Sequence, residues 1–325
     1  MICLGIESTA HTFGVGVVDE KCRVLANEKD SHSTEAGGLI PRELTDHHVM
    51  AAPKVIEKAL QSASVKMKDI EVVAFSIGPG IGPALKVGAV AARTLSLKYG
   101  KPLLGVNHPI AHIEIGKTVT GCNDPLVVYA SGGNTQIIGF DSGKYRVYGE
   151  TLDTGVGNLL DSFGRELGLG FPAGPKIDAM YFKANKFIEL PYSVKGMDLH
   201  FSGLLTAAKQ NIGKCSEKNL AYSLMHTAFA MVTEVTERAL AHTGKKEVLL
   251  TGGVACSKAL QEMMEKMCYA RKAKLFVTPP ALAVDNGAMI AWLGLIQFKA
   301  GDRMKLEETV VKQKFRADQV VATWI

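Results

Sequence analysis

LVVYASGGNTQIIGFDSGKYRVYG, residues 126–149, decides the fold when it is laid over CLGIESTAHTFGVGVVDEKCRVLA, residues 3–26. With residue n set against residue n + 123, Ser8 meets Ser131, Thr12 meets Thr135, Gly16 meets Gly139, Arg23 meets Arg146 and Val24 meets Val147. Both stretches also read strand, polar turn, strand, turn, strand. The apolar runs fall at 2–6, 13–18 and 22–27 in the first copy and at 126–130, 136–140 and 145–149 in the second, with turn-forming residues between them. Shared register and shared order together indicate an internal duplication.

Alternating helix and strand follow each copy. The spacing of Val49, Ala52, Val55, Ile56 and Leu60 predicts one face of a helix over 43–63, with Pro53 marking a kink or restart. Residues 72–77 form an unbroken apolar run, as expected at the centre of a parallel sheet, followed by a Gly-Pro loop, a helix over 83–97 and a strand over 103–106. The second half echoes this with a strand over 248–251, Gly252-Gly253 and a helix over 256–267. Two such halves imply two α/β lobes facing each other across a cleft. Lobe I is expected over 1–123 and lobe II over 124–296, with the tail 297–325 packing back on lobe I. The helix over 286–298 follows lobe II and crosses back to the first; 198–206 is the least regular part of lobe II.

Composition narrows the function classes. Hydrophobic residues make up 47% and charged residues 21%, enough apolar material for a core and too little net charge for disorder. The excess of 37 basic over 32 acidic side chains, +5, is mild and permits an anionic partner without demonstrating one. The six cysteines include no pair at metal-knuckle spacing and read as single buried thiols in a reducing compartment. The start shows no basic leader, and no apolar run reaches membrane length: 72–85 is broken by Gly78, Pro79, Gly80, Gly82 and Pro83. The expectation is a soluble, cytoplasmic protein with no membrane partner.

Three turns rich in glycine or hydroxyls follow apolar strands: Ser8-Thr9, Ser131-Gly132-Gly133-Asn134-Thr135 and Gly252-Gly253. Singly, each is an ordinary tight turn. In a duplicated fold their ends converge on one cleft, where consecutive amides cradle phosphate oxygens. None has the spacing of a Walker loop or a Rossmann fingerprint. His108 and His112 stand four apart on a helix that Asn107 caps and Pro109 opens, the spacing that brings two imidazoles to one metal ion. A satisfied polar helix face is the alternative. The best candidate for a third ligand is Asp285, between a strand-like segment and a helix; two histidines and a carboxylate suit iron or zinc. His47 and His48, adjacent on a helix, are expected to point apart and share no metal. There is no nucleophile elbow. Zincin chemistry is rejected because Pro109 stands where the catalytic glutamate follows the first histidine.

These residues resemble a known family. Residues 5–12 (GIESTAHT), 37–42 (GGLIPR), His108 with His112, 131–135 (SGGNT), 201–206 (FSGLLT), 251–255 (TGGVA) and the ending from Phe315 to Trp324 look like the TsaD-type threonylcarbamoyl transferases, over nearly the whole chain and in order. The Ala10-His11-Thr12 variant resembles the archaeal and eukaryotic branch, the catalytic subunit of the KEOPS complex. The resemblance implies the duplicated actin/Hsp70/sugar-kinase-like (ASKHA) fold. It also implies transfer of a threonylcarbamoyl group from threonylcarbamoyl-adenylate to the exocyclic amine of the adenosine 3′ of the anticodon, in tRNAs that read codons beginning with A. One divalent metal ion per chain, iron ahead of zinc, would be held by His108, His112 and Asp285 with Tyr129 contributing. The adenine nucleotide would lie against Tyr129, Ala130, Ser131, Gly132, Gly133, Asp161, Gly174 and Asp178, with Gly252, Gly253 and Ser257 beside its nucleoside. Expected partners are tRNA, a small protein kinase and a small dimerising subunit; some archaeal relatives carry the kinase on the same chain. Ser257 stands where the family usually has asparagine, and Ala173 where it has glycine. A small-molecule kinase or a nucleotide-gated scaffold of the same fold are the alternative readings.

Overall fold

In a computed structural model, residues 1–34 and 39–325 are described; Gly37 and Gly38 of the 37–42 motif lie outside them. β1 (Ile2–Glu7), β2 (Thr12–Asp19) and β3 (Val24–Ser31) make the first antiparallel meander, and α1 (Pro41–Ser62), β4 (Val72–Gly78), α2 (Gly82–Tyr99), β5 (Leu103–Asn107) and α3 (His108–Thr120) follow. The second copy opens with β6 (Leu126–Ala130), β7 (Thr135–Asp141) and β8 (Lys144–Glu150). After it come α4 (Val156–Glu166), α5 (Gly174–Tyr181), the two-residue strands β9 (Val194–Lys195) and β10 (Asp198–Leu199), α6 (Ser202–Gln210) and α7 (Glu217–Thr243). β11 (Glu247–Thr251), α8 (Lys258–Ala270), β12 (Lys274–Val277), α9 (Pro280–Ala283) and α10 (Gly287–Lys299) complete the set.

The duplication is visible in the sheets. One has the order β3-β2-β1-β4-β5 and the other, read from its far edge, β8-β7-β6-β11-β12, so corresponding strands occupy corresponding places. In each, the first strand pairs antiparallel with its hairpin partner and parallel with the fourth, Cys3 opposite Val72 and Val248 opposite Leu126. The central strands are covered on both faces, which is why their apolar runs are unbroken rather than alternating.

Three apolar cores fix the layers. α1 and α2 cover the outer face of the first sheet, and α4 to α8 cover the outer face of the second. Between the sheets lie α3 and α10, sharing one core with both. α10 packs on β1, β2 and β4, so the chain returns to lobe I by Gly287, ahead of the boundary expected at 296. Its backbone touches the strands: a Cβ on Gly5 would sit 2.1 Å from Ala291 N, and one on Gly16 would sit 2.1 Å from Ala288 N. The tail crosses lobe I, where Lys312 N donates to Ile77 O at 2.7 Å. It then runs onto lobe II, Val321 bridging Lys144 on β8 and Arg316 pairing with Glu150 at 3.0 Å.

Some elements differ from expectation. α1 runs unbroken through Pro53, and its inward face carries Leu44, His48, Ala51, Ala52, Val55 and Ala59 while Val49 is exposed. His47 and His48, expected to diverge, bring their Nδ1 atoms to 3.1 Å, His48 buried and His47 reaching Asp30 with its Nε2 at 3.0 Å. α4 to α7 occupy a region for which the sequence predicted no helix. Among the described residues, no helix is long and apolar enough to cross a membrane.

Candidate active site

α3 begins directly off β5, the edge strand of the first sheet, because Asn107, its last residue, accepts a hydrogen bond from Ile110 N at 3.1 Å and Pro109 supplies a helical φ without needing a partner for its nitrogen. One turn then separates His108 from His112 on the face turned to the interlobe space. Asp285 arrives from the other end of the chain, in the link between α9 and α10. Asn286 fixes that link: its Oδ1 accepts from Met289 N at 3.0 Å, capping α10, and its Nδ2 donates to Leu282 O at 3.1 Å and Val284 O at 2.7 Å.

The three side chains converge. Asp285 Oδ1 lies 3.4 Å from His108 Nε2 and 3.4 Å from His112 Nε2, and one ligand atom from each residue falls within 4.8 Å of the others. His112 is fully buried and His108 nearly so. The buried Tyr129 ring, at the end of β6, stands 5.3 Å from the His112 ring and 6.4 Å from that of His108. Behind His108 lies Glu7, fully buried, its Oε2 2.9 Å from His108 Nδ1.

Charge is tightly shared here. Burial works against the His108 cation, but Glu7, Tyr129 and Asp285 outweigh it and hold its pKa well above the ordinary histidine value. Burial, reinforced by the charge of His108, depresses His112. Burial would raise the Asp285 carboxyl, yet its hydrogen bonds to His108 and His112 hold it well below the carboxylate range. Desolvation raises the Tyr129 phenol. The donor set suits a divalent ion, and its three atoms, within 4.8 Å of one another, would draw closer on binding. Ligands about 2.1 Å from a tetrahedral metal lie about 3.4 Å apart, the separation seen between the carboxylate and each imidazole. A nitrogen–nitrogen–oxygen set suits iron or zinc.

The turns surround this centre unequally. Ser131 N donates to Asn134 O at 2.8 Å, closing the loop after β6, and Ser131 O and Gly132 O accept the Gly157 and Asn158 amides at the start of α4. Gly132 and Gly133 are exposed, and among the described residues their amides donate to no protein group. Gly252 packs against this loop with φ +92°, where a Cβ would come within 2.4 Å of Ala130 O. On the same lobe, Asp161 accepts from Ala173 N at 2.8 Å. Burial raises its carboxyl pKa above the usual value, with the Ala173 and Gly174 amides opposing. Gly174 opens α5 with nothing crowding its Cα. Asp178, one turn on, accepts from Ser257 Oγ at 2.5 Å. In lobe I the Ser8 amide donates to Ser76 Oγ at 3.0 Å and the Thr9 amide to Glu7 Oε1 at 2.6 Å. The lobe I amides that the sequence offered to a phosphate, those of Ser8 and Thr9, are therefore engaged within the protein, while among the described residues the Gly132 and Gly133 amides of lobe II are not.

The family profile described as tRNA N6-adenosine threonylcarbamoyltransferase, TsaD, matches residues 22–292. A protein of that name from Thermococcus sibiricus is 56% identical over 326 aligned positions, covering 100% of both chains. The chain belongs to the TsaD family. A probable bifunctional tRNA threonylcarbamoyladenosine biosynthesis protein from Methanothermobacter thermautotrophicus is 51% identical over 100% of this chain and 61% of its own length. Among solved structures, HypF of T. kodakarensis shares the fold with TM-score 0.63 and 14% identity, over 95% of this chain and 49% of its own. A ROK family glucokinase from Streptomyces griseus does so with TM-score 0.51 and 12% identity, over 91% of this chain and 99% of its own. The fold is the duplicated two-lobe actin/Hsp70/sugar-kinase type.

Both departures from the TsaD pattern have local roles. Ser257 caps α8, accepting from Leu260 N at 3.4 Å while donating to Asp178, so it is tied to its own lobe. The Ala173 methyl is fully buried in the lobe II core. Sequence reading gave Glu7 no role. Its one signal was a carboxylate at the end of an otherwise apolar strand, whose partner lies 101 positions away.

Proposed function

We propose that this TsaD-family chain transfers the threonylcarbamoyl group from threonylcarbamoyl-adenylate to the exocyclic amine of the adenosine 3′ of the anticodon, in tRNAs reading A-starting codons, with release of AMP. One observation carries the reading: His108 and His112 from lobe I and Asp285 from the link into α10 converge next to Tyr129, on the strand that leads into the open glycine turn of lobe II. A small-molecule kinase of this fold would have phosphate turns but no use for the two imidazoles.

The donor is a mixed anhydride and already activated, so the protein's work is alignment and charge stabilisation. The Gly132 and Gly133 amides point to the adenylate phosphate, and Gly252, Gly253, Asp178 and Ser257 flank its nucleoside. Asp161 accepts a hydroxyl of the ligand. His108, His112 and Asp285, with Tyr129 beside them, would hold the metal ion, iron ahead of zinc. When bound, the ion supplies Lewis-acid stabilisation of negative charge on the departing phosphate. The tRNA amine attacks the carbamoyl carbonyl carbon, the C–O bond to AMP breaks, and the amine proton leaves to solvent. The buried walls around Tyr129 keep water from competing for the anhydride.

The expected partners are tRNA, a small protein kinase and a small dimerising subunit. The bifunctional relative, of which this chain matches 61%, supports a second catalytic module working with this one. A tRNA substrate places the reaction in the cytoplasm. The test is reconstitution with threonylcarbamoyl-adenylate, the partner subunits and an A-codon-reading tRNA transcript, scored by nucleoside mass spectrometry. His108→Ala combined with His112→Ala is expected to lose both bound metal and tRNA modification. Full activity in the metal-free double variant would remove the metal from the mechanism.

A further inference from the structure

We infer that Glu7 is a positioning residue that holds His108 in the one tautomer able to offer Nε2 to a metal ion. This rests on the metal-centre reading above and extends it to a residue outside the ligand set. Glu7 ends β1 and is fully buried, so its carboxylate needs partners in place of water. Each of its oxygens meets only donors. Oε1 accepts from Thr9 N at 2.6 Å and from Thr9 Oγ1 at 2.5 Å, while Oε2 faces His108 Nδ1 at 2.9 Å. A carboxylate accepts and cannot donate, so the imidazole proton at that face belongs on Nδ1. Nε2, 3.4 Å from Asp285 Oδ1, is then the nitrogen that gives up its proton and turns its lone pair to an incoming metal ion.

The two histidines are not equivalent in this respect. His112 Nδ1 is buried and has no hydrogen-bond partner among the described residues, whereas His108 is gripped through its outer nitrogen. The carboxylate–imidazole–metal arrangement therefore has one anchor, and it is Glu7. Glutamine has nearly the same shape but carries one oxygen and one NH2. One of Thr9 N or His108 Nδ1 would then face a donor. If that group is His108, its Nδ1 must accept, its proton moves to Nε2, and the lone pair is withdrawn from the metal.

The test is cobalt(II) titration of wild type and Glu7→Gln, followed by the d–d absorption band, with thermal melting to confirm that the variant folds. Cobalt(II) accepts the same nitrogen and oxygen ligands as iron or zinc. A roughly 10- to 100-fold weaker affinity in the variant, with the fold retained, is expected. An affinity within about twofold of wild type would overturn the inference. A second measurement does not depend on the variant: NMR of zinc-loaded wild-type protein 15N-labelled at histidine. It should place the His108 proton on Nδ1 and the metal on Nε2, and the reverse assignment would overturn the inference. Wild-type protein that took up no cobalt would instead sink the metal-centre reading beneath it.

Discussion

Asp153 shows how one side chain shapes lobe II from a distance. It lies just before α4, and its carboxylate accepts from Phe201 N at 3.0 Å and Ser202 N at 2.8 Å, capping α6 from 48 and 49 residues away. Burial works the other way, but the Ser202 and Phe201 amides hold its carboxyl down to about 2. A depressed carboxyl contributes stability that is fully present above its unfolded value, about 3.9, and is lost as pH falls toward the folded value, about 2. Because Asp153 is solvent-exposed, screening keeps that contribution to about 1 kcal/mol. Asp153→Ala is therefore expected to lower the unfolding free energy by about 1 kcal/mol at pH 7, with the gap to wild type closing below about pH 4. Urea denaturation across that range checks both parts. The same locality explains what could be read beforehand. His108 and His112 stand one helical turn apart and announce themselves, while the partners of Glu7 and Asp153 are set by folding.

At the scale of elements, α10 decides whether Asp285 reaches the histidines. The helix starts two residues after Asp285, and its first turns lie directly on glycine positions of β1 and β2. A methyl group at Gly16 would meet the Ala288 backbone nitrogen at 2.1 Å, and neither strand nor helix backbone has room to yield. Gly16→Ala is expected to cost about 3 kcal/mol and to weaken cobalt binding by displacing Asp285. Gly203→Ala, in α6 with nothing within 4 Å of the added carbon, should instead stabilise by about 0.5–1 kcal/mol. Paired chemical denaturation curves separate the two cases. The meanders were legible in sequence because turn chemistry and apolar runs are local. α7 was not: 14 of its 27 residues are buried, spread around the helix because it is covered by α5, α6 and α8 as well as the sheet, so it shows no single apolar stripe. α1 hid its true inward face behind His48, a polar residue that the fold buries.

For the whole molecule, two duplicated sheets with α3 and α10 between them set a cleft whose walls come from both halves of the chain. The lobes also meet where Phe171 N donates to Thr34 O at 2.9 Å and the Phe171 ring lies 5.3 Å from that of His11. A ligand gripped by such a cleft stabilises the folded chain by mass action, by about 2.7 kcal/mol at 100 times its dissociation constant. A non-hydrolysable threonylcarbamoyl-adenylate analogue should therefore raise the denaturation midpoint of wild type and do so much less for Asp178→Ala. Equal shifts in both would remove Asp178 from the adenylate site. The two-lobe plan was legible because a duplication writes itself twice, and so was the return of the helix over 286–298 to lobe I; that α3 joins α10 in one layer was not, since their contact spans distant parts of the chain.

The most direct test of the central claim is an anomalous-difference map from crystals of the metal-loaded protein, collected at the absorption edge of the bound metal. The account predicts one peak about 2.0–2.2 Å from Nε2 of His108, Nε2 of His112 and a carboxylate oxygen of Asp285. A loaded, active protein whose only anomalous peak lies elsewhere would contradict it.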